Sequence, residues 1–412
     1  MSNRRVVITG YGIVSPIGNN INEFNHSIKN GNNGVKEITL FNPENFPIKI
    51  AAEVKNLDLN SFFDTKEMNK MDRFTMLAII AADQAITDSS LINNKSINYE
   101  RIGVIIGSGI GGINTLSEQH LRLLKSPKRV SPFFIPSLIS DIAAGHISIK
   151  HGFKGPNYGL VSACATGTHA IGDAYRMIQY GDADIIISGG SEASVHPLAV
   201  SGFANMRALS KNPDYKSASR PFDLNRDGFV LGEGAGVIIL EEYEHAMKRN
   251  ANILCELSGY AATADAYHLT SPAPNGEGAA RSMSLAIKDA KINPEEIDYI
   301  NAHGTSTPYN DKFETMAIHS TFKDYAKELY ISSTKSMTGH LLGAAGAIES
   351  ICCILAIQNN FIPPTINYSV PDPECNLNYT PNTSIDKKIK YAMSNTFGFG
   401  GHNSTLIFKK HC

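Results

Sequence analysis

The chain has 412 residues, of which 42% are hydrophobic and 18% charged, and this composition excludes a disordered, collagen-like or coiled-coil protein. Its formal net charge is −2, which provides no overall attraction to nucleic acid or to a membrane surface, and we expect neither as a partner. The N-terminal sequence MSNRRVVITG has neither a signal-peptide core nor the character of a transit peptide. This predicts a cytoplasmic protein, or an organellar protein whose targeting peptide has been removed.

Segments rich in valine and isoleucine alternate along the chain with segments of helical periodicity, and most end at glycine or at a polar turn. The strand-like segments are RRVVITGYG, RIGVIIGSG, DADIIISGG, GAGVIILEEY, ANILCELSGY and IDYINAHG. This alternation predicts an α/β fold of layered sheets and helices. A charged helix at 242–252 precedes the fifth of these segments, so we place a boundary there between an N-terminal half, 1–251, and a C-terminal half, 252–412.

The segment GSGIGG, at 107–112, has the G-x-G-x-x-G spacing of a dinucleotide-binding loop. Such a site also needs an acidic residue about 20 positions further on, at the end of the next strand. The sequence from 127 onward reads PKRVSPFF and contains none. We therefore expect no nicotinamide cofactor.

Cys164 lies in VSACATGTHA, between an apolar run and a predicted helix over 167–180 that Gly181 ends. A thiol at the start of a helix faces free backbone amides and the positive end of the helix dipole, which favour the thiolate and can hold an oxyanion. The small neighbours predict an accessible sulfur. The alternative is that Cys164 is a small buried hydrophobic residue.

The six cysteines show neither paired metal-ligand spacing nor a disulfide framework, so we expect reduced thiols. They lie at positions 164, 255, 352, 353, 375 and 412. The longest apolar run, 341–357, carries Glu349 and Ser350 in its middle and is slightly short for a membrane span. We interpret it as a buried helix. The layout of strand, polar turn and small-residue helix at 329–350 echoes the surroundings of Cys164, but too weakly to establish an internal repeat.

Two histidines lie at the ends of predicted elements, where active sites collect. His303 follows a strand in NAHGTSTP, and His340 precedes the apolar helix in STKSMTGHLLG, five residues after Lys335. Structural roles for both histidines remain the alternative. Glu349 needs a partner if its helix is buried, and we expect it to orient Lys335, a histidine or an ion.

The segment SNTFGFGGHN, at 394–403, combines two phenylalanines with three glycines. This composition lets the backbone approach a ligand closely and lets Phe399 move, although a tight hairpin with core phenylalanines is the alternative. The oxygen-rich set of Asn301, Glu349, Ser394 and Asn395 raises the hypothesis of a bound ion. No catalytic metal is predicted.

Four segments, ACATGTHAIGDA, NAHGTSTPYND, STKSMTGHLLGAAGAIES and SNTFGFGGHNS, together closely resemble the β-ketoacyl-acyl carrier protein synthases, and within that family the type II enzymes. The resemblance covers essentially the whole chain. It implies a thiolase fold of two similar α/β halves with a five-layered α-β-α-β-α core, a homodimer, and no cofactor. It also implies fatty-acid elongation by decarboxylative condensation of an acyl group, held on Cys164, with malonyl-acyl carrier protein.

The resemblance assigns roles to individual residues. It implies that His303 and His340 stabilise the enolate, that Lys335 and Glu349 support them, and that the backbone amides of Cys164 and Phe399 form the oxyanion hole. Two neutral imidazole N–H donors suit an enolate oxygen. The substrate residues implied are Ile110, Phe203 and Phe397 along the acyl chain, and Thr305 and Thr307 on the pantetheine arm. The basic residues implied to dock the acyl carrier protein are Lys66, Lys70, Lys128, Arg129 and Arg207.

Three other classes of protein compete with this interpretation. A cysteine hydrolase would use Cys164 and one histidine, but it would leave the second histidine and Lys335 without a role. A degradative thiolase normally supplies a second cysteine as base where this chain has Gly/Phe/His residues near 397–402. A non-catalytic partner subunit typically lacks the nucleophile, which this chain retains.

Overall fold

The computed structural model describes residues 4–92 and 97–411. The strands are β1 (Val6–Val14), β2 (Lys36–Glu37), β3 (Ile50–Ala51), β4 (Ile102–Gly107), β5 (Asn157–Tyr158), β6 (Ile185–Glu192), β7 (Gly234–Glu242), β8 (Cys255–Ala264), β9 (Tyr299–Asn301), β10 (Tyr330–Ser332), β11 (Phe361–Ile362), β12 (Ile385–Asp386), β13 (Tyr391–Gly398) and β14 (His402–Lys409). The helices are α1 (Ile21–Asn30), α2 (Thr65–Met68), α3 (Arg73–Asp88), α4 (Ile113–Lys125), α5 (Phe134–Leu138), α6 (Ile142–His151), α7 (Thr166–Tyr180), α8 (Pro197–Asn205), α9 (Tyr243–Lys248), α10 (Glu277–Ala290), α11 (Pro308–Phe322), α12 (Lys335–Thr338) and α13 (Ala345–Asn359).

Ten strands form one mixed sheet in the order β10-β9-β13-β14-β8-β1-β7-β6-β4-β5. The first five strands in this order come from 255–409 and the other five from 6–242. The two groups join where β1 pairs antiparallel with β8, Val6 opposite Leu257 and Ile8 opposite Cys255. The sheet therefore consists of an N-terminal and a C-terminal set of strands, and the domain division at 251/252 remains a prediction.

The sheet is folded so that its two sets of strands enclose a central helical layer. Helix α7 packs on β4 and β6 of the N-terminal set, α13 packs on β13 of the C-terminal set, and the two helices pack on each other. Helices α3 and α6 cover the N-terminal strands, and α10 covers the C-terminal strands with α11 packed beside it. The result is the predicted five-layered α-β-α-β-α core, and the predicted fold class is confirmed.

Close contact between α7 and α13 depends on small residues. A Cβ atom on Gly346 would lie 1.8 Å from Oγ1 of Thr168, so only glycine allows this approach. Helix α13 is buried from Ala345 to Ile357, because it has protein on every side. The segment Leu342–Asn359 is long and apolar enough to cross a membrane, yet 89% of it is buried inside the protein, which confirms the predicted buried helix.

The predicted helix after Cys164 and the predicted reduced thiols are both found in the described residues. Helix α7 begins at Thr166 and ends at Gly181, whose φ of 87° closes the helix in the left-handed conformation that favours glycine. Cys164, Cys255, Cys352, Cys353 and Cys375 are free and buried. Cys412 lies outside the described residues.

Candidate active site

Three reactive side chains from distant parts of the chain converge where residues of the two halves meet. Cys164 lies in a short 3₁₀ turn just before α7, His303 follows β9, and His340 follows α12. The sulfur of Cys164 and one ring nitrogen of each histidine all lie within 4.8 Å of one another. The two imidazole rings are 5.4 Å apart at nearly right angles. One small group bound at this point would contact all three side chains.

The backbone is strained near two of these residues, Cys164 and His340. Ala163, directly before Cys164, has a φ of 51°, and Leu342, two residues after His340, has a φ of 47°. Residues other than glycine rarely adopt this left-handed region, and such strain concentrates at functional sites. The turn around Cys164 is therefore held in place by the packing around it.

The tautomer of His340 follows from its two neighbours. The backbone N–H of Leu342 lies 3.3 Å from Nδ1, which must therefore accept that hydrogen bond. Nε2 then carries the ring proton, and it lies 3.0 Å from Sγ of Cys164. His340 thus presents a hydrogen-bond donor to the sulfur and to whatever the sulfur binds.

Both histidines are held neutral. Burial lowers the pKa of His303 and that of His340 well below the usual 6.5, and the positive charge of Lys335 lowers both further. Two neutral imidazoles cannot both act as charged acids, but each offers one N–H donor. Two neutral N–H donors are thus available at this point, and their role in stabilising an enolate remains a prediction.

The protonation of Cys164 differs from the prediction. The residue is only 7% exposed. Burial raises the pKa of its thiol to about 11, although the charge of Lys335 and the backbone N–H groups of Phe399 and Cys164 lower it. The expectation that the helix start keeps the sulfur as a thiolate is therefore wrong, because the loss of water around the sulfur outweighs the favourable electrostatics. Cys164 nevertheless lines the cavity described below, so its sulfur can be reached from there.

Lys335 and Glu349 form a buried ion pair behind the histidines. Both side chains are at most 3% exposed, and the ammonium group donates to Oε1 of the carboxylate. Burial raises the pKa of Glu349, and Lys335 partly offsets this. The pair gives Lys335 a fixed position from which its charge acts on Cys164, His303 and His340. The predicted need of Glu349 for a partner is met by Lys335.

Three of the four residues of the hypothetical ion site have a buried oxygen atom that could serve as a ligand. Asn301 Oδ1, Glu349 Oε2 and Ser394 Oγ are buried and have no hydrogen-bond partner among the described residues. Asn301 pairs with Ser394 across β9 and β13. Asn395 lies on the opposite face of β13, where its side chain bonds Met283 and Thr405 instead. Unpaired oxygen atoms of this kind suit a hard cation.

The reactive groups line a cavity of about 430 Å³. Its wall includes all five predicted substrate residues, namely Ile110, Phe203, Phe397, Thr305 and Thr307. Phe397 packs edge-on against the His303 ring at 5.8 Å, and the hydroxyl groups of Thr305 and Thr307 lie 2.9 Å apart. The cavity therefore combines apolar walls near Cys164 with hydroxyl groups further along.

The glycine-rich turn after β13 approaches the nucleophile closely. Phe399 lines the cavity, and its backbone N–H lies close enough to the Cys164 sulfur to lower the pKa of the thiol. A Cβ atom on Gly398 would lie 3.1 Å from the backbone nitrogen of Cys164. The two amides proposed as an oxyanion hole thus both face the sulfur.

The five basic residues predicted to dock a carrier protein are exposed. Lys66, Lys70, Lys128, Arg129 and Arg207 all lie on the surface, and Arg207 also lines the cavity. None of the five forms an ion pair with an acidic residue within 4–92 and 97–411. Their charges are therefore free to meet a negatively charged partner.

Two supporting residues have no signal in the sequence. The buried carboxylate of Glu314 accepts the backbone N–H groups of His303 and Gly304 at 2.8 and 2.7 Å, and burial raises its pKa to about 7. The ring of Phe229 packs edge-on against His340 at 5.2 Å. Both residues orient the histidines from segments that no motif marks.

Comparison with known proteins decides the family. The model "Beta-ketoacyl synthase, N-terminal domain" matches residues 3–246, and the model "Beta-ketoacyl synthase, C-terminal domain" matches residues 254–369. This chain belongs to the β-ketoacyl synthase family. Its members include acyl-transferring condensing enzymes, and the predicted resemblance is confirmed.

Relatives match the β-ketoacyl synthase chain over its whole length. It is 52% identical to 3-oxoacyl-[acyl-carrier-protein] synthase 2 of Staphylococcus aureus strain COL, over 99% of each chain. It is 50% identical to the enzyme of that name from Synechocystis sp., over 100% of this chain and 99% of the relative. A β-ketoacyl synthase from Burkholderia phymatum superposes with a TM-score of 0.90 at 34% identity, covering 99% and 100% of the two chains.

A further structural neighbour was solved as a complex. A chain from the structure of a type II polyketide synthase acyl-carrier protein in complex with its ketosynthase superposes with a TM-score of 0.93 at 37% identity, covering 100% of both chains. The ishigamide ketosynthase/chain length factor gives the same TM-score at 33% identity, again over 100% of both chains. This β-ketoacyl synthase thus shares its fold with ketosynthases from several assemblies.

Proposed function

We propose that this protein is a 3-oxoacyl-acyl carrier protein synthase of type II, which elongates fatty acyl chains by decarboxylative condensation. An acyl group moves from acyl carrier protein to the Cys164 sulfur as a thioester, and the carrier thiol leaves with the proton. Malonyl-acyl carrier protein then loses carbon dioxide, and its carbanion attacks the Cys164 thioester. The C–S bond to Cys164 breaks, and the products are carbon dioxide, 3-oxoacyl-acyl carrier protein and the Cys164 thiolate, which takes up one proton from water to restore the thiol.

The convergence of one thiol and two neutral imidazoles in a single cavity carries this proposal. Decarboxylation of a malonyl thioester places negative charge on the thioester oxygen, and neutral N–H donors from His303 and His340 stabilise that charge without donating a proton to the carbanion. The backbone N–H groups of Cys164 and Phe399 stabilise the oxyanion of the acyl-transfer step. Lys335 adds a positive charge at a fixed position behind the donors.

Two other functions fit the site less well. A cysteine hydrolase needs one histidine as base, whereas the Nδ1 atom of His340 accepts a backbone N–H and its Nε2 is a donor. A thiol and two imidazoles also form a donor set for zinc. The charge of Lys335 acts on all three groups and opposes a second cation among them.

Mass spectrometry of the protein after incubation with acyl carrier proteins of varied chain length tests the proposal. We expect the wild-type protein to gain one acyl group on the peptide that contains Cys164, and Cys164→Ala to gain none. Cys375→Ala, which removes another buried free thiol, is the matched control and should still be acylated. Release of free fatty acid without condensation would instead support the hydrolase.

We also propose a homodimer. Strand β5 lies at the outer edge of the sheet, where its backbone is open to a further strand. Large apolar side chains are exposed beside it, among them Ile149 on α6 and Val161 after β5. In analytical ultracentrifugation, Val161→Asp should sediment as a monomer. The control Leu285→Asp, at an exposed position of α10, should remain a dimer. A dimeric Val161→Asp would argue against this edge as the interface.

Three smaller assignments accompany the proposed function. Acyl carrier protein is an acidic partner, and the five unpaired basic residues provide a surface of opposite charge for it. A cation held by Asn301, Glu349 and Ser394 would coordinate oxygen atoms that lie buried without a hydrogen-bond partner among the described residues, and it takes no part in the reaction steps. We also propose the cytoplasm as the place where this synthase acts.

A further inference from the structure

The glycine-rich segment 107–112 binds a carboxylate of the protein itself. Glu192, the last residue of β6, is fully buried. Its Oε2 atom accepts the backbone N–H groups of Gly109 at 2.9 Å and of Gly343 at 3.0 Å. Its Oε1 atom accepts the backbone N–H of Ile110 at 3.2 Å. Three backbone donors therefore converge on one side chain.

These donors belong to two loops that come from different halves of the chain. Strands β4 and β6 run parallel, so their carboxyl ends place the loop after β4 beside Glu192. Gly343 lies three residues after His340, in the turn that leads into α13. The Oε2 atom of Glu192 thus links the loop that carries Ile110 to the loop that carries His340.

The glycines are required by this arrangement. A Cβ atom on Gly109 would lie 2.7 Å from Glu192 Oε2, and one on Gly343 would lie 2.3 Å from the backbone nitrogen of Gly109. Side chains at these positions would separate the loops from the carboxylate and from each other. Close packing on Glu192 therefore explains Gly109 of the dinucleotide-like spacing, whereas Gly107 packs against Thr166 and Gly112 packs against Ser137 and Leu138.

Both linked loops form part of the reactive cavity. Gly109, Ile110, Cys164, His340 and Leu342 all line it. We propose that Glu192 is a positioning residue that holds the cavity wall at Ile110 in a fixed place relative to His340, and thereby determines how well long acyl chains are accepted. This inference rests on the proposed function, because it assigns to Glu192 a part in setting which acyl chain lengths the same site accepts.

Glu192 also acts on the nucleophile through its charge. The charged groups that act on Cys164 are Lys335, which favours the thiolate, and Glu192, which disfavours it. His303 and His340, the other titratable groups beside the sulfur, are neutral. Replacing Glu192 by glutamine removes the charge and also places an NH2 group against backbone N–H donors, whereas aspartate keeps the charge on a side chain too short to reach both loops.

Two readouts on Glu192→Gln and Glu192→Asp test the proposal. For both variants we expect kcat/KM for acylation by a long-chain acyl carrier protein to fall about tenfold, with less than about a twofold change for an acetyl group, which does not reach the wall at Ile110. The rate of Cys164 alkylation by iodoacetamide at pH 8 should rise in Glu192→Gln and stay near the wild-type rate in Glu192→Asp. Equal losses for long and short chains, or no loss, would overturn the positioning role.

Asp223→Asn is the matched control for loss of stability. The Asp223 carboxylate is also fully buried and also accepts three backbone N–H groups, from Asn225, Ser369 and Val370. Asp223→Asn should lower the melting temperature. It should change neither the ratio of kcat/KM for long-chain acylation to kcat/KM for acetylation nor the rate of Cys164 alkylation. If wild-type protein formed no acyl adduct, the proposed function would fail, while the alkylation rates would still decide whether Glu192 acts on Cys164.

Discussion

The Nε2 atom of His340 lies 3.0 Å from the sulfur of Cys164, and the Nδ1 atom of the same ring accepts the backbone N–H of Leu342. The backbone thus determines which ring nitrogen carries the proton. With the pKa of His340 lowered by burial, the ring is a neutral donor aimed at the sulfur. His340 is therefore placed to stabilise negative charge on a group bound at Cys164, as the proposed function requires.

The role of the two histidines predicts that decarboxylation can run without the nucleophile. Cys164→Gln places an amide where the acyl thioester would lie, so we expect carbon dioxide release from malonyl-acyl carrier protein without condensation. Adding His303→Ala should lower that release about 100-fold, because one donor to the enolate oxygen is lost. Adding His26→Ala, at an exposed position of α1, should leave the release unchanged. No release from Cys164→Gln alone would contradict the assignment.

The buried thiol predicts a specific pH dependence of chemical modification. Because the pKa of Cys164 is about 11, the thiolate fraction and the rate of alkylation by iodoacetamide should rise about tenfold per pH unit between pH 7 and 10. The double variant Lys335→Met, Glu349→Gln removes a charge that favours the thiolate and should react more slowly at pH 9. Peptide mapping identifies the alkylated cysteine, and a rate that levels off below pH 9 would refute the raised pKa.

His169 predicts a loss of stability in acid. Burial, together with the nearby His402, lowers the pKa of this ring to about 4 in the folded protein. Between pH 6.5 and 4 the unfolded chain therefore binds a proton that the folded protein does not, and the free energy of unfolding falls by about 3 kcal/mol as pH falls. In His169→Gln this contribution should be absent.

Urea unfolding at pH 7.5 and pH 4.5 measures the contribution of His169. The decrease in the free energy of unfolding between the two pH values should be larger for the wild-type protein than for His169→Gln. Other groups, including His303 and His340, add to the decrease in both proteins. Equal decreases would show that His169 does not carry a depressed pKa.

The exposed basic residues predict an electrostatic dependence on the carrier protein. Lys128→Glu combined with Arg129→Glu should raise the KM for acyl carrier protein about tenfold at low salt with little change in kcat, and the effect should shrink at high ionic strength. Lys388→Glu, an exposed lysine of the C-terminal half, is the matched control. A change in kcat alone would point to the reaction itself and away from docking.

The cavity wall predicts control of chain length. Ile110→Phe enlarges a side chain that lines the cavity, so the longest acyl chain accepted on Cys164 should become shorter while acetyl transfer persists. Mass spectrometry of the acylated protein with carrier proteins of increasing chain length measures this limit. An unchanged limit would remove Ile110 from the acyl pocket.

Several features of this protein follow from its sequence alone. The alternation of strand and helix predicts the α/β core, the periodicity before Gly181 predicts α7 behind Cys164, and the apolar run at 341–357 predicts the buried helix. These features depend on neighbouring residues, whose spacing sets the periodicity of the backbone. The four motifs likewise identify the family, because each is a local pattern.

The tertiary structure alone decided how the site works. Cys164 and His340 are 176 positions apart, and only the packing of α7 against α13 brings them to 3.0 Å. The same packing excludes water from the sulfur and raises its pKa, which reverses the expectation from the helix start alone. The tertiary structure also brings Glu192 together with two glycine loops from different halves of the chain. Burial and contacts between distant segments depend on the whole fold, so the spacing of residues within a motif does not determine them.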